Sequence, residues 1–254
     1  QAYLDRGQVL ASKGNAAAAY ALYDLVYQIG VGDQAHEAWL ASRNLQASKI
    51  IESKDNPNAS TVNELELLAQ LLENETDASR LQAGLLRAIA LKSKGQMIEA
   101  LALIDDLLKK QPDAPWVHWQ KGLTLLQIGK AKDAQPYLES MLTRGHSSPQ
   151  IHHAIALALA TSEQPAATKK AFEAAIESGG GSAVHLDFGR FFFGQKSWEA
   201  ALKHLTISLS TAQNGGAAVV RMIAACQHHL KQHDAAAQNF QRAFQLEKDP
   251  RTLL

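Results

Sequence analysis

Three histidines, His118, His152 and His185, recur at intervals of 34 and 33 residues. Imidazoles repeated at one structural position would, if they converged, hold metal ions along a stack. Neighbouring packed helices lie about 8–10 Å apart, whereas zinc holds a ring nitrogen at about 2 Å. The ladder therefore predicts packing or pH-sensitive contacts and no metal. His229 and His233 have i, i+4 spacing, but they straddle an expected turn, and the pairs His152–His153 and His228–His229 point to different helix faces. Cys226 is the one cysteine. It can form no internal disulfide, and in an apolar helical pattern without a basic neighbour it reads as a buried, inert thiol. Gly179-Gly180-Gly181 follows no strand and precedes no Gly-Lys-Ser/Thr, so it reads as a helix cap and linker rather than a phosphate loop. The acidic cluster Glu52, Asp55, Glu64, Glu66, Glu73, Glu75 and Asp77 reads as a solvated face. With no nucleophile elbow, zincin motif or paired-carboxylate pattern, the expectation is a non-enzyme with no cofactor.

The balance of charge narrows the partners. The 254 residues carry 25 Lys+Arg against 25 Asp+Glu, and a neutral chain lacks the basic field that nucleic acid or an anionic membrane requires. No run approaches the roughly 18 apolar residues of a membrane span. Neither nucleic-acid binding nor membrane insertion is expected, and the chain reads as soluble, in the bacterial periplasm or cytoplasm. Abundant alanine with 6% aromatics and 7 prolines favours helices.

The elements that must hold these residues are set by a repeat. Units beginning at Leu81, Pro115, Pro149, Ser182 and Ala217 are 34, 34, 33 and 35 residues apart. Their eighth residues are Ala88, Gly122, Ala156, Gly189 and Ala224, all small enough for helix backbones to approach closely. Twelve residues later a second small column reads Ala100, Ala134, Thr168, Ala201 and Ala236, followed after four by Ile104, Leu138, Phe172, Leu205 and Phe240. This is one helical hairpin written five times, with small residues at the crossing and large ones filling the gaps. Gly95 and Gly129 fall where positive φ would end a first helix. Ser148 before Pro149 is an N-cap followed by proline at the first helical position, and Pro136 is expected in a first turn, after Asp133. Residues 1–33 repeat the columns through Gly7, Leu10, Ala19, Tyr23 and Val26. Residues 34–80 read as a degenerate unit: a helix from about His36 to Glu52, a loop at 53–60, and a helix opened by Thr61 with Glu64 in capping-box spacing.

These columns resemble the tetratricopeptide repeat (TPR), to which Pro112 near a unit's end and Trp198 at the start of a second helix also correspond. The resemblance implies an all-α fold, a right-handed superhelical solenoid of about seven helical hairpins: one array over 1–254 with units 1–33, 34–80, 81–114, 115–148, 149–181, 182–216 and 217–250. His118, His152 and His185 stand at the family's fourth position, where a large apolar residue is usual, and Arg87 and Lys121 replace leucine at the seventh. Both ends lack the polar caps that such arrays need, so the chain is expected to be a piece or processed form of a longer protein.

In the family the second, fifth, ninth and twelfth residues of each first helix face a concave groove. On that basis Trp116, Trp119, Leu123, His153, Leu157, Leu186, Arg190, Phe193 and Arg221 are the expected partner contacts. Trp116 and Trp119 are read equally well as filling the core. The Lys/Asn clamp of chaperone-tail adaptors is absent, because its positions hold Leu85 and Ile89, then Trp119 and Leu123. What the resemblance implies is a non-enzymatic scaffold that holds a peptide or amphipathic helix of another protein in this groove, in a bacterial envelope assembly or secretion complex. The alternatives are a regulatory or substrate-docking domain of a larger enzyme such as a glycosyltransferase, and self-association through the uncapped ends.

Overall fold

The computed structural model describes residues 2–30, 32–53, 62–162, 164–211 and 216–248. Thr61, the expected loop at 53–60 beyond Ser53, and residues 249–254 lie outside them. Among the described residues there are fourteen α-helices and no strand. They are α1 (Ala2–Ser12), α2 (Ala16–Ile29), α3 (Asp33–Glu52), α4 (Val62–Leu72), α5 (Asp77–Ser93), α6 (Met97–Lys110) and α7 (Pro115–Gln127). They continue as α8 (Ala131–Thr143), α9 (Pro149–Ala160), α10 (Pro165–Glu177), α11 (Ser182–Gly194), α12 (Trp198–Thr211), α13 (Ala217–His229) and α14 (His233–Lys248). None of the helices is long and apolar enough to cross a membrane. The chain divides into two compact units, residues 1–130 and 131–254.

Local chemistry sets the helix ends. Ser148 Oγ accepts from the Ile151 N–H at 3.3 Å with Pro149 in the first turn, as the capping pattern predicts. Thr76 caps α5 the same way, accepting from the Ser79 N–H at 3.1 Å. This helix therefore starts four residues ahead of the repeat boundary at Leu81. Helix α8 begins at Ala131, which puts Pro136 in its second turn rather than its first. There the missing N–H withdraws a bond from the Lys132 carbonyl. The turns after α1, α5 and α7 each have a left-handed residue: Gly14, Gly95 and Gly129 at φ 77°, 78° and 76°. The same turn is made after α11 by Lys196 at φ 57° and after α13 by Lys231 at φ 62°.

In the first unit, α4, α5 and α6 surround a core of Leu65, Leu68, Leu72, Leu86, Ile104 and Leu107, which Ala47 and Ile51 of α3 join. Arg87 and Lys121, the polar replacements in that unit, each meet an acidic partner. Arg87 makes a two-pronged bond to Glu73 at 2.7 and 2.5 Å, and Lys121 Nζ meets Asp105 at 2.8 Å. Lys92 is 3% exposed, its Nζ donating to Gln120 Oε1 at 2.7 Å, while Gln120 Nε2 donates to the Ile51 carbonyl at 2.7 Å. Burial brings this amine down from 10.5 to about 8. In the second unit, Phe172 and Phe188 stack at 4.8 Å in a core with Ala156, Ala175 and Val184, and Ala201, Leu205, Ile223 and Cys226 form the next layer.

Two expectations follow from these features. A left-handed lysine costs roughly 1–2 kcal/mol, partly offset by the greater unfolded-state freedom of glycine. Lys196→Gly and Lys231→Gly should each therefore stabilise the fold by about 0.5 kcal/mol in urea unfolding. Lys203→Gly inside α12 should instead cost about 1 kcal/mol, and an equal loss at all three sites would refute the strain argument. For Lys92, the folded chain releases a proton that the unfolded chain keeps, so stability rises with pH from about 8 to 10.5. The shift corresponds to roughly 3 kcal/mol across that window, which Lys92→Met should remove. Parallel stability–pH curves for the two proteins would contradict it.

Candidate functional site

The inward columns behave differently in the two units. In the first, Leu85 and Ile89 lie in the same buried cluster as Ala47 and Ile51 of α3, and Trp116 is half-buried against it. Trp119 is 0% exposed and Leu123 4%. These two are corrections to the expected contact set, since both belong to the core. For α5 the cause is α3, whose 20 residues exceed the 13 of α7, so that its C-terminal end reaches from α5 to the Gln120 side chain on α7. The lengthened α3 thus packs over the inward side chains of α5.

In the second unit α9, α11 and α13, where α11 touches both of the others, carry the remaining expected residues. His153 on α9 is itself buried, at 3% exposed, a third correction. Its Nε2 contacts Asp187 Oδ2 on α11 at 2.9 Å, and Arg190, one turn further on, donates from a guanidinium nitrogen to Asp187 Oδ1 at 3.1 Å. Asp187 is thus gripped from both sides. Burial works to raise its carboxyl, but the hydrogen bonds and charges of His153 and Arg190 outweigh it and hold the group below the ordinary carboxylate range. The guanidinium stays half exposed, at 51%, so its direction is fixed while its remaining N–H groups face outward. Leu157 and Leu186 are half-buried beside the Phe172 and Leu205 layers respectively. Phe193 packs edge-on to Trp198 at 5.3 Å, and exposed Arg221 on α13 is paired with Glu247 of α14. An arginine aimed by a half-buried acid can recognise a carboxylate in a directed, charge-assisted bond.

The histidine ladder resolves into three separate contacts. His118 Nε2 meets the Pro112 carbonyl at 2.7 Å, His152 Nε2 meets Ser147 Oγ at 3.0 Å, and His185 Nδ1 meets His204 Nδ1 at 3.0 Å. His229 lies flat on Trp198 at 4.0 Å, and it is His228, not His229, whose ring neighbours His233, at 5.6 Å. Cys226 is fully buried, and burial pushes its thiol up to about 11, away from nucleophilic use. Gly181 caps α11, and Gly179 at φ 96° follows the end of α10, the cap-and-linker role read from sequence. Asp187, the pivot of the site, was missed because it falls between groove columns. Its signal was the separation of 34 residues from His153, one repeat period.

Paired helices with small residues at their crossings are the tetratricopeptide-repeat architecture, and the chain has that fold. Residues 86–186 match the sequence model of the Psidin N-terminal TPR repeats region. Among solved structures, MamA is similar at TM-score 0.57 and 18% identity over 63% of this chain and 94% of its own. YrrB, described as a TPR protein with an unusual peptide-binding site, is similar at 0.53 and 16% over 81% and 94%. The quorum sensor NprR of B. thuringiensis is similar in its apo form at 0.69 and 12% over 98% and 77%, and in complex with its cognate peptide NprX at 0.58 and 13% over 99% and 79%. Likeness at such identities establishes the fold alone. No curated protein matches the sequence closely enough to count as a relative.

Asp187→Asn should cost about 2 kcal/mol in urea unfolding, the scale for a hydrogen-bonded charge lost beside a buried partner. Because the carboxyl is depressed in the folded state, its stabilisation is present above the unfolded carboxylate range and is lost as pH falls below it. The asparagine variant should therefore show a shallower acid-side decline than wild type, and an identical decline would show that the pair is not coupled to folding.

Proposed function

We propose that this protein is a non-enzymatic interaction scaffold that captures a peptide segment or amphipathic helix of another protein on the inward face of α9, α11 and α13. The observation that carries the reading is the guanidinium of Arg190, held by Asp187, which His153 also binds, and left half exposed, on a unit whose Leu157, Leu186 and Phe193 are only partly buried. The complementary ligand is a segment with large apolar side chains and one acidic group, since Arg meets carboxylate in a directed, charge-assisted bond while buried apolar area supplies most of the affinity. Peptide binding on the same fold in YrrB and NprR supports a protein partner. Arg221 forms the second, weaker basic contact, and on compositional style the setting is a bacterial envelope assembly or secretion complex.

The test is selection of displayed twelve-residue random peptides on the immobilised chain, followed by titration of enriched sequences against wild type and Arg190→Glu, with helicity checked by circular dichroism. Enrichment of acidic–apolar sequences that lose at least about tenfold affinity on the equally helical variant is the expected result. Enriched peptides that bind both proteins alike would remove the inward face of the second unit as the site.

A further inference from the structure

A separate cavity of about 380 Å³ lies in the second unit where α10 and α12 both flank α11. Its apolar floor is Phe188 and Phe192 with Ile176 beside them, and the ring of His204 forms one wall. The three rings are in mutual contact, with His204 centred 4.4 Å from Phe188 and 5.7 Å from Phe192. At the rim, Lys169 and Lys203 stand against Glu173 and Glu177, and Lys169 is already 3.7 Å from Glu173, so the rim has no net charge to attract an ion.

The polar group of this cavity is defined by its back contact. His204 Nδ1 lies 3.0 Å from His185 Nδ1, and the ring centres are 5.3 Å apart with planes inclined by 23°. The centre-to-centre distance exceeds the nitrogen–nitrogen distance by the full sum of the two ring radii, the greatest excess two touching rings can have. Both nitrogens therefore lie on the line joining the rings, in a head-to-head N–H···N hydrogen bond. One imidazole donates from Nδ1 and keeps a bare Nε2, and the other accepts at Nδ1 and carries its proton on Nε2. Desolvation, with the charges of His185 and Lys203 adding to it, holds His204 down at about 4, so the ring is neutral near pH 7. His204 Nε2 is accordingly a donor in one tautomer of the pair and an acceptor in the other.

We infer that this cavity binds a phenolic ring, packed against Phe192 above the buried Phe188, with its hydroxyl bonded to His204 Nε2. An aromatic floor selects a flat ring in offset or edge-on contact, and a balanced rim selects a neutral one. The paired histidines select the hydroxyl, because a phenol both donates and accepts and so satisfies either tautomer, whereas an indole only donates. The volume lies within the range of small-ligand pockets. The ring can come from a free phenolic compound or from a tyrosine side chain of a protein, and the inference does not depend on the inward-face reading above.

The full chain is titrated with p-cresol, toluene and N-acetyltyrosinamide by calorimetry, and the histidine ring nitrogens are followed by ¹⁵N NMR. Wild type is expected to bind p-cresol about tenfold more tightly than toluene, the scale of one hydrogen bond, with the His204 nitrogens shifting on saturation. His204→Phe keeps the ring and should bring p-cresol and toluene to equal affinity. N-acetyltyrosinamide binding as well as p-cresol would assign the tyrosine source, and exclusion of it alone would assign a free phenol. Absence of p-cresol binding up to its solubility, equal affinities for p-cresol and toluene in wild type, or binding without movement of the His204 signals would each overturn the inference. The NMR readout on wild type stands even if the variant fails to fold.

Discussion

The fold depends on how closely the two helices of a hairpin approach. A Cβ added at Gly189 would sit 2.8 Å from the Leu205 side chain and 3.1 Å from its backbone nitrogen, and one at Gly7 would sit 2.5 Å from Tyr23. Where the column carries alanine, as at Ala88, Ala156 and Ala224, the residue is fully buried. Interiors packed at crystal-like density leave no room for an extra methyl at such crossings. The large residues one turn away, Ile104, Leu138, Phe172 and Leu205, are then fully enclosed. That tight pairing is what makes a hairpin of two short helices stable, since helices of this length are marginal alone.

The same periodicity explains what was legible in the sequence. Columns of small and large residues identified the helices because they record burial directly, and burial dominates the energetics. The left-handed turns were readable where glycine marks them, at Gly95 and Gly129, and not at Lys196 and Lys231, where residue type carries no such signal and the surrounding hairpin imposes the conformation. Contacts between hairpins were harder. His153 with Asp187 and Gln82 with Ser48 are each 34 residues apart, so the repeat brings side chains one period apart together. Their polarity at exposed-looking positions gave no hint that they would pair in a partly buried layer.

The degenerate segment shows where a period-based reading fails. A family column assigns a direction on the assumption that every unit has helices of the same length, and a longer α3 changes what lies opposite. Once α3 is 20 residues long, burying Ala47 and Ile51 against Leu85 and Ile89 removes more apolar surface from water than an open groove would. The arrangement carries a cost at Lys92, an amine enclosed with an amide acceptor in place of a carboxylate, where desolvation of a charge is only partly offset. A buried polar chain running from Lys92 through Gln120 to the end of α3 fixes the register of three helices, because a slip of any one would leave all of these groups unsatisfied.

The inward face of the second unit has the opposite character, and its electrostatics bound the kind of recognition it supports. Both arginines on it already hold a carboxylate, but the two pairs are not alike. Arg221 and Glu247 are each about half exposed, and such a pair contributes little and rearranges readily. Asp187 is more enclosed and is bound by His153 as well, so it is not displaced by an incoming acid. Arg190 therefore works as a fixed donor whose charge is partly neutralised. An arginine in that state contributes direction and discrimination more than binding energy, which leaves affinity to the apolar side chains beside it. On a chain with equal numbers of acidic and basic groups there is no long-range field to gather ligand. On the proposed reading, selectivity on this face comes from short-range fit around Leu157, Leu186 and Phe193, with the arginine setting the orientation of the peptide.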